Sequence, residues 1–118
     1  MIAKAVNLAE KLRGFEECWS PRIVAEYNDN EVMVVKAEGE FVWHSHPETD
    51  DLFLVLEGAL TIDLEEGPVT LGPGELFVVP KGVRHRPRAA AGTQLLIMEP
   101  RGTPNTGDPQ TAVAKPRV

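Results

Sequence analysis

From Ser20 onward, short apolar and β-branched runs are separated by turn residues about every eight to twelve positions. The separators are rich in glycine, proline and asparagine, which supply the backbone angles that tight turns require. This spacing is typical of an all-β sandwich or barrel. The predicted strands cover residues 22–26, 31–38, 41–45, 51–56, 59–64, 68–71, 76–79, 83–88 and 93–99.

Two segments with a different residue pattern flank the β-rich stretch. Asn7 followed by Glu10 has the form of a helix start and Gly14 that of a stop, which predicts a helix of about two turns. After Glu99, prolines alternate with glycines and no hydrophobic period remains, so we predict a tail whose first half packs across the body and whose end is mobile. The predicted organisation is an N-terminal segment over 1–19, a β-barrel over 20–99 and a Pro/Gly-rich tail over 100–118.

The predicted strand at residues 52–56 is apolar on both faces and must therefore be covered on both sides. One cover is the barrel interior, and the other is a sheet, the N-terminal helix or a second subunit. Candidates for lining an internal cavity, most of them expected to be core residues, are Phe53, Phe77, Val42, Ile62, Leu96 and Met98.

Strand parity makes a further prediction about the outer surface. If His44 and His46 face inward from a strand, Val42 joins them, whereas Phe41 and Trp43 face outward. Two outward aromatics need a cover, which is either the N-terminal segment or a second copy of the chain. We favour a symmetric homodimer, because exposed apolar patches usually mark contacts and isologous dimers are the commonest oligomers.

Composition limits the classes of function. The 118 residues, 42% hydrophobic and 25% charged, fit one soluble globular domain. The net charge of −6 argues against nucleic acid as a partner. A single cysteine forms no intrachain disulfide, and neither a signal-peptide core nor a membrane-spanning run is present, so we expect a cytoplasmic protein.

Two of the three histidines stand at a spacing of two. In a strand, His44 and His46 project to the same side about 6.5 Å apart, so that they can share one metal ion. His85 and Asp51 are the obvious further donors, with Asp50 as the fallback carboxylate. An N/O set of this kind suits Fe, Mn, Zn, Ni or Cu. The alternative is that all three histidines are scattered surface residues.

The residues around these histidines resemble the two sequence motifs of the cupins. The first motif places a glycine before HxH, an acid after it and a closing glycine, and the second runs from a glycine through Pro-x-Gly to a histidine. The matching positions are Gly39, His44-Ser45-His46, Asp51, Gly58 and the stretch from Gly74 through Pro80-Lys81-Gly82 to His85.

Three positions depart from the usual cupin pattern. Asp51 stands where the first motif usually has glutamate, one methylene longer. Gly39 lies one residue nearer to the histidines than usual, and Ala89 replaces the asparagine that often ends the second motif. These departures bear on the assignment of Asp51 as a metal ligand more than on the assignment of the three histidines.

The resemblance implies a jelly-roll barrel, or double-stranded β-helix, of the RmlC-like kind, with one divalent transition metal held by His44, His46, His85 and Asp51. Cupins include dioxygenases, oxidases, decarboxylases, sugar isomerases of the phosphomannose isomerase type and non-catalytic binding domains. We therefore expect a metalloenzyme acting on a small oxygenated molecule by isomerase- or dioxygenase-type chemistry. The alternatives are a non-catalytic cupin that binds or senses a small sugar-like ligand, and a purely structural metal.

Three arginines alternate with His85 and Pro87 near the second motif. If His85 turns inward, Arg84, Arg86 and Arg88 turn outward. Such a stripe could bind an anion, but the favoured interpretation is a solvated outer face or pairing with the excess of acidic residues.

Overall fold

The computed structural model of the chain describes residues 4–118, so the first three residues of the segment predicted at 1–19 lie outside it. The prediction of an all-β fold with a short N-terminal helix is confirmed. No helix in residues 4–118 has both the length and the apolar character needed to cross a membrane. The elements are α1 (Leu8–Leu12), β1 (Arg22–Tyr27), β2 (Asn30–Glu40), β3 (Asp51–Glu57), β4 (Leu60–Leu64), β5 (Gly67–Leu71), β6 (Leu76–Val79) and β7 (His85–Pro100).

The strands form an antiparallel jelly-roll barrel. One sheet consists of β1, β2, β7, β3 and β6, the other of β4, β5 and the start of β7, so that β7 belongs to both sheets. The main order is β1-β2-β7-β3-β6, while β4 pairs with β5 and β7. Near its start β7 pairs with β4, and further along it pairs with β3. Irregularities in the pairing of β7 with β2 and with β3 mark the bend between the two sheets. This long strand carries residues from both sheets into one interior.

The barrel interior is filled by the inward positions of the strands. Phe53 and Val55 of β3 and Leu95 and Ile97 of β7 are buried in the main core. Their alternation with half-buried residues is the period of two expected for a strand with one face in the core.

A second cluster lies outside the barrel, where the N-terminal segment packs on β2. Leu12 and Phe15 cover Val34 together with Leu56 at the end of β3. The helix therefore supplies part of the outer cover predicted for the strand at 52–56. Asn7 caps α1 as predicted, since its side chain accepts from the Glu10 amide at 2.9 Å, although the helix has five residues rather than two turns.

Two predicted boundaries are wrong. Residues 41–45 do not form a strand, and His44 instead makes an isolated antiparallel bridge with His85. The strands predicted at 83–88 and 93–99 are one continuous β7. The alanines and the glycine between them bend the strand without ending it.

Because residues 41–45 are irregular, the predicted parity fails there. Val42, expected inside, is 50% exposed. Phe41, expected outside, packs against Trp19 with ring centroids 5.1 Å apart. Trp43 does face outward, and Arg84 and Arg86 each lie 5.4 Å from its ring. Phe41 thus needs no cover from a second chain, whereas Trp43 remains 36% exposed.

Candidate metal centre

The three histidines converge inside the barrel. His44, His46 and His85 are buried, with exposed fractions of 8%, 4% and 0%. One ring nitrogen of each lies within 4.8 Å of the others. The bridge that joins His44 to His85 through backbone hydrogen bonds of 2.8 and 2.9 Å brings the two sequence motifs together.

Backbone carbonyls orient two of the rings. Nδ1 of His44 donates to the Val42 carbonyl at 2.8 Å, and Nδ1 of His85 donates to the Val83 carbonyl at 2.9 Å. A carbonyl can only accept, so the proton resides on Nδ1 and the lone pair on Nε2. This arrangement, in which a metal-binding histidine is oriented by its other nitrogen, is usual in metal sites.

Burial keeps the imidazoles neutral. It lowers the pKa of His44 to about 4, and it also lowers the pKa values of His46 and His85. Neutral imidazole is the form that binds a metal ion, so the site is ready for a cation at neutral pH.

Two buried carboxylates lie beside His46. Asp51 Oδ2 is 3.3 Å from His46 Nε2, and Glu99 joins them in a second group whose donor atoms lie within 4.8 Å of one another. Burial raises the pKa of Asp51 to about 6. Burial and the neighbouring Asp51 raise the pKa of Glu99 to about 8, against the opposite effect of Lys115. The structure therefore places Asp51 beside His46, as part of a carboxylate pair.

Glu99 was not among the predicted site residues. Strand parity could have identified it. The inward positions of β7 are Thr93, Leu95, Ile97 and Glu99, and a charged residue at a buried position of such a series is unusual. The predicted cavity residues Leu96 and Met98 have the opposite parity and lie on the outer face of the barrel.

The donor set fits a transition metal. His46 Nε2, His85 Nε2 and Asp51 Oδ1 are buried and have no hydrogen-bond partner within residues 4–118. Unsatisfied buried polar atoms are costly, so their convergence calls for an ion or water. Donors that bind one ion at about 2.1 Å lie at most about 4.2 Å apart, so the three imidazoles, whose donor atoms lie within 4.8 Å of one another, need only small shifts. Asp51 meets the same distance to His46 but belongs to the separate group with Glu99.

A cavity of about 30 Å³ adjoins the centre. A cavity of this size holds about two water molecules. Phe53 lines it as predicted, whereas Phe77, Val42 and Ile62 do not. The lining residues are His44, Asp51 and Glu99 together with Trp19, Pro21, Met33, Val35, Phe41, Phe53, Pro87, Ile97 and Asn105.

The tail forms part of the cavity wall. Asn105 lines the cavity, and Gly107 lies so close to Ser45 that a Cβ at Gly107 would collide with the Ser45 carbonyl oxygen. The first half of the tail thus packs across the body, as predicted. The end, predicted to be mobile, runs beside β1, where the Ile23 amide donates to the Pro116 carbonyl at 2.9 Å.

The remaining candidates lie outside the centre. Asp50, the fallback ligand, accepts from the Lys81 amide at 2.9 Å and thus binds the turn after β6. Arg86 and Arg88 each lie 2.9 Å from the Asp63 carboxylate. Pairing with acidic residues, one of the two favoured interpretations of the arginine stripe, is therefore what these two side chains do.

Comparison with known proteins agrees with this architecture. A family model described as Cupin domain matches residues 31–99. The uncharacterized protein YdbB of Bacillus subtilis (strain 168) is 39% identical over 100 residues, which cover 84% of this chain and 82% of YdbB. A cupin-2 domain containing protein from Shewanella frigidimarina has a crystal structure that matches with a TM-score of 0.80 at 47% identity, over 81% of this chain and 94% of that one.

A third protein is similar to this chain over a smaller part of its length. The acireductone dioxygenase of Rhodopseudomonas palustris (strain TIE-1) is 32% identical over 74 residues, which are 59% of this chain and 42% of that protein.

Proposed function

The chain belongs to the cupin domain family, and on this premise we propose that it is a mononuclear metal-binding protein with His44, His46, His85 and Asp51 as ligands. We further propose that it is a metalloenzyme acting on a small oxygenated molecule. The observation that carries the proposal is the convergence of three buried, neutral imidazoles beside a buried carboxylate, with the Nε2 atoms of His46 and His85 left without a hydrogen-bond partner among residues 4–118.

The position of the cavity supports catalysis over a purely structural metal. His44 and Asp51 both line it, so a ligand that occupies the cavity would lie against the centre. A bound transition metal would supply a Lewis acid that polarises an oxygen of the substrate or activates water or dioxygen. The residues of the chain would orient the substrate, because the walls are mostly apolar and offer few polar contacts, among them His44, Asp51 and Glu99.

The first test is the metal content of protein purified without an affinity tag or chelator. We expect close to one equivalent of Fe, Mn, Ni, Cu or Zn, and renewed uptake after the metal has been stripped. Similarity to part of a dioxygenase is a reason to assay dioxygen consumption first, followed by sugar isomerisation. A folded protein that neither contains nor takes up a metal would contradict the proposal.

The alternative is a non-catalytic cupin that senses a small ligand. A sugar-sized molecule would not fit the cavity of about 30 Å³ without movement of a wall, and such a movement on binding is what a sensor uses to report its ligand. Retained metal, a ligand-induced increase in melting temperature and no turnover across a broad substrate panel would distinguish this function from the enzyme.

We also propose that a second copy of the chain covers the outer sheet surface. Apolar residues form two rows across β2, β7, β3 and β6, in the register Val32–Met98–Leu52–Val78 and Leu96–Leu54–Leu76. Leu76 is 58% exposed and Val78 40%. Two chains of net charge −6 repel each other, so an uncharged face is the surface on which they can meet. We call these seven residues the outer apolar face.

Light scattering coupled to gel filtration tests this interface. We expect a mass of twice 12.9 kDa for the wild type. The double variant Leu76→Lys/Val78→Lys should be monomeric, because burying two lysine charges at a contact costs several kcal/mol. Tyr27→Lys is the matched control, since Tyr27 is 63% exposed but lies on β1. A monomeric wild type, or a double variant that remains dimeric, would contradict the proposed interface.

A further inference from the structure

Lys115 reaches from the tail to the carboxylates beside the proposed metal. Its Nζ lies 2.7 Å from Glu99 Oε1 and also donates to the Thr103 carbonyl. The two side chains of this pair are 10% and 4% exposed. The contact between this lysine and this glutamate is therefore shielded from solvent, unlike the exposed pairs elsewhere on the surface.

The contact between Lys115 and Glu99 places the two neighbouring carboxylates, Asp51 and Glu99, in different surroundings. Asp51 and Glu99 are both buried next to His46, and two like charges this close repel strongly in a poorly solvated site. Lys115 pairs with Glu99, whereas Asp51 Oδ1 is left without a hydrogen-bond partner among the described residues. One carboxylate is therefore occupied and the other is available.

We propose that Lys115 and Glu99 are positioning residues of the metal centre, which hold the Asp51 carboxylate toward the metal. The tail thereby contributes a residue, Lys115, to the structure of the metal centre. This inference rests on the proposed metal-binding function. It also explains how aspartate serves where a longer glutamate would reach further, because a fixed neighbour limits the orientations of the shorter side chain.

The same ion pair closes a loop of the chain over the cavity. The Lys115 side chain donates to Glu99, the last residue before the tail begins, and to the carbonyl of Thr103 within the tail. Inside this loop, the Asn105 side chain accepts from the Val113 amide at 3.1 Å and lines the cavity. Loss of the pair would therefore disturb the cavity wall as well as the carboxylates.

The test measures Zn²⁺ affinity of the stripped full-length protein by competition with a chromophoric chelator. Lys115→Met and Glu99→Gln should each weaken Zn²⁺ binding about 10- to 100-fold, the usual effect of removing a residue that orients a ligand. Lys115→Arg should restore part of the affinity. Arg117→Met is the matched control, because it removes a tail cation whose partner Glu26 lies at the surface, and it should bind Zn²⁺ within about twofold of the wild type.

A second readout follows the geometry of the centre. The visible spectrum of the Co²⁺-substituted protein reports the coordination of the ion, and it should change in Lys115→Met and Glu99→Gln but not in Arg117→Met. If Lys115→Met does not fold, as judged by circular dichroism, Glu99→Gln decides, because it removes a charge while keeping the shape of the side chain.

The possible outcomes separate this inference from the proposed function. A wild type that binds no metal overturns the proposed function. A wild type that binds Zn²⁺ tightly, with Glu99→Gln and Lys115→Met unchanged, overturns the positioning role alone. Glu99→Gln that loses binding as completely as His46→Ala would make Glu99 a direct ligand, and Lys115→Met that binds more tightly would show that the lysine opposes the metal. Either result overturns the inference.

Discussion

His46→Ala is expected to abolish tight metal binding. His46 contributes a donor atom both to the three-imidazole group and to the group with Asp51 and Glu99. Its loss therefore disrupts the centre whichever donors the ion uses. We expect affinity to fall by more than about 100-fold, beyond the effect of removing an outer residue. Elemental analysis of the purified variant and chelator competition measure the effect, and unchanged metal content would refute the assignment.

Two companion variants define the specificity of that result. Asp51→Ala should weaken binding less than His46→Ala, because the three imidazoles remain, and an equal loss would mean that Asp51 contributes as much to metal binding as His46 does. Arg86→Ala should leave metal binding unchanged, since Arg86 pairs with Asp63 and Glu40 on the outside of the barrel. A large change in Arg86→Ala would mean that outer-surface pairs influence the centre.

The local signals in the sequence predicted most of the elements. Asn7 and Glu10 marked the helix start that the structure contains, because a capping side chain acts within one turn of its own position. Most strand boundaries agree to within two residues, since glycine and proline turns lie next to the strands they end. Both kinds of signal are short-range, which is why they can be recognised in a single sequence.

The failures come from interactions between distant residues. The segment around His44 is shaped by its bridge to His85 rather than by its own strand propensity, so a parity argument misplaced Val42. Glu99 and Lys115 belong to no motif, and their pairing depends on where the tail lies after folding. The imidazoles could thus be predicted from spacing, whereas the second carboxylate and its cation could not.

The second large effect concerns Gly58, the glycine that closes the first motif. Gly58 has φ +88°, and a Cβ there would lie 2.7 Å from Thr93 Cα and would also collide with Thr93 Oγ1. Thr93 cannot move away easily, because it is 1% exposed and its hydroxyl donates to the Ala90 carbonyl at 2.7 Å. A side chain at this position therefore pushes on β7 at its bend between the two sheets.

Gly58→Ala should lower the free energy of unfolding by about 2 to 5 kcal/mol, from left-handed strain of about 1 to 2 kcal/mol and overpacking of about 1 to 3 kcal/mol. Urea denaturation in the presence of a chelator measures it, so that bound metal adds no stability. Gly92→Ala is the matched control, because Gly92 has φ +77° and open space around it, and it should lose only the strain. Equal losses in the two variants would mean that Thr93 yields to the new methyl group. The larger loss in Gly58→Ala would show that the β3–β4 turn packs closely against β7, the strand that carries His85 at one end and Glu99 at the other, and that this packing stabilises the barrel around the centre.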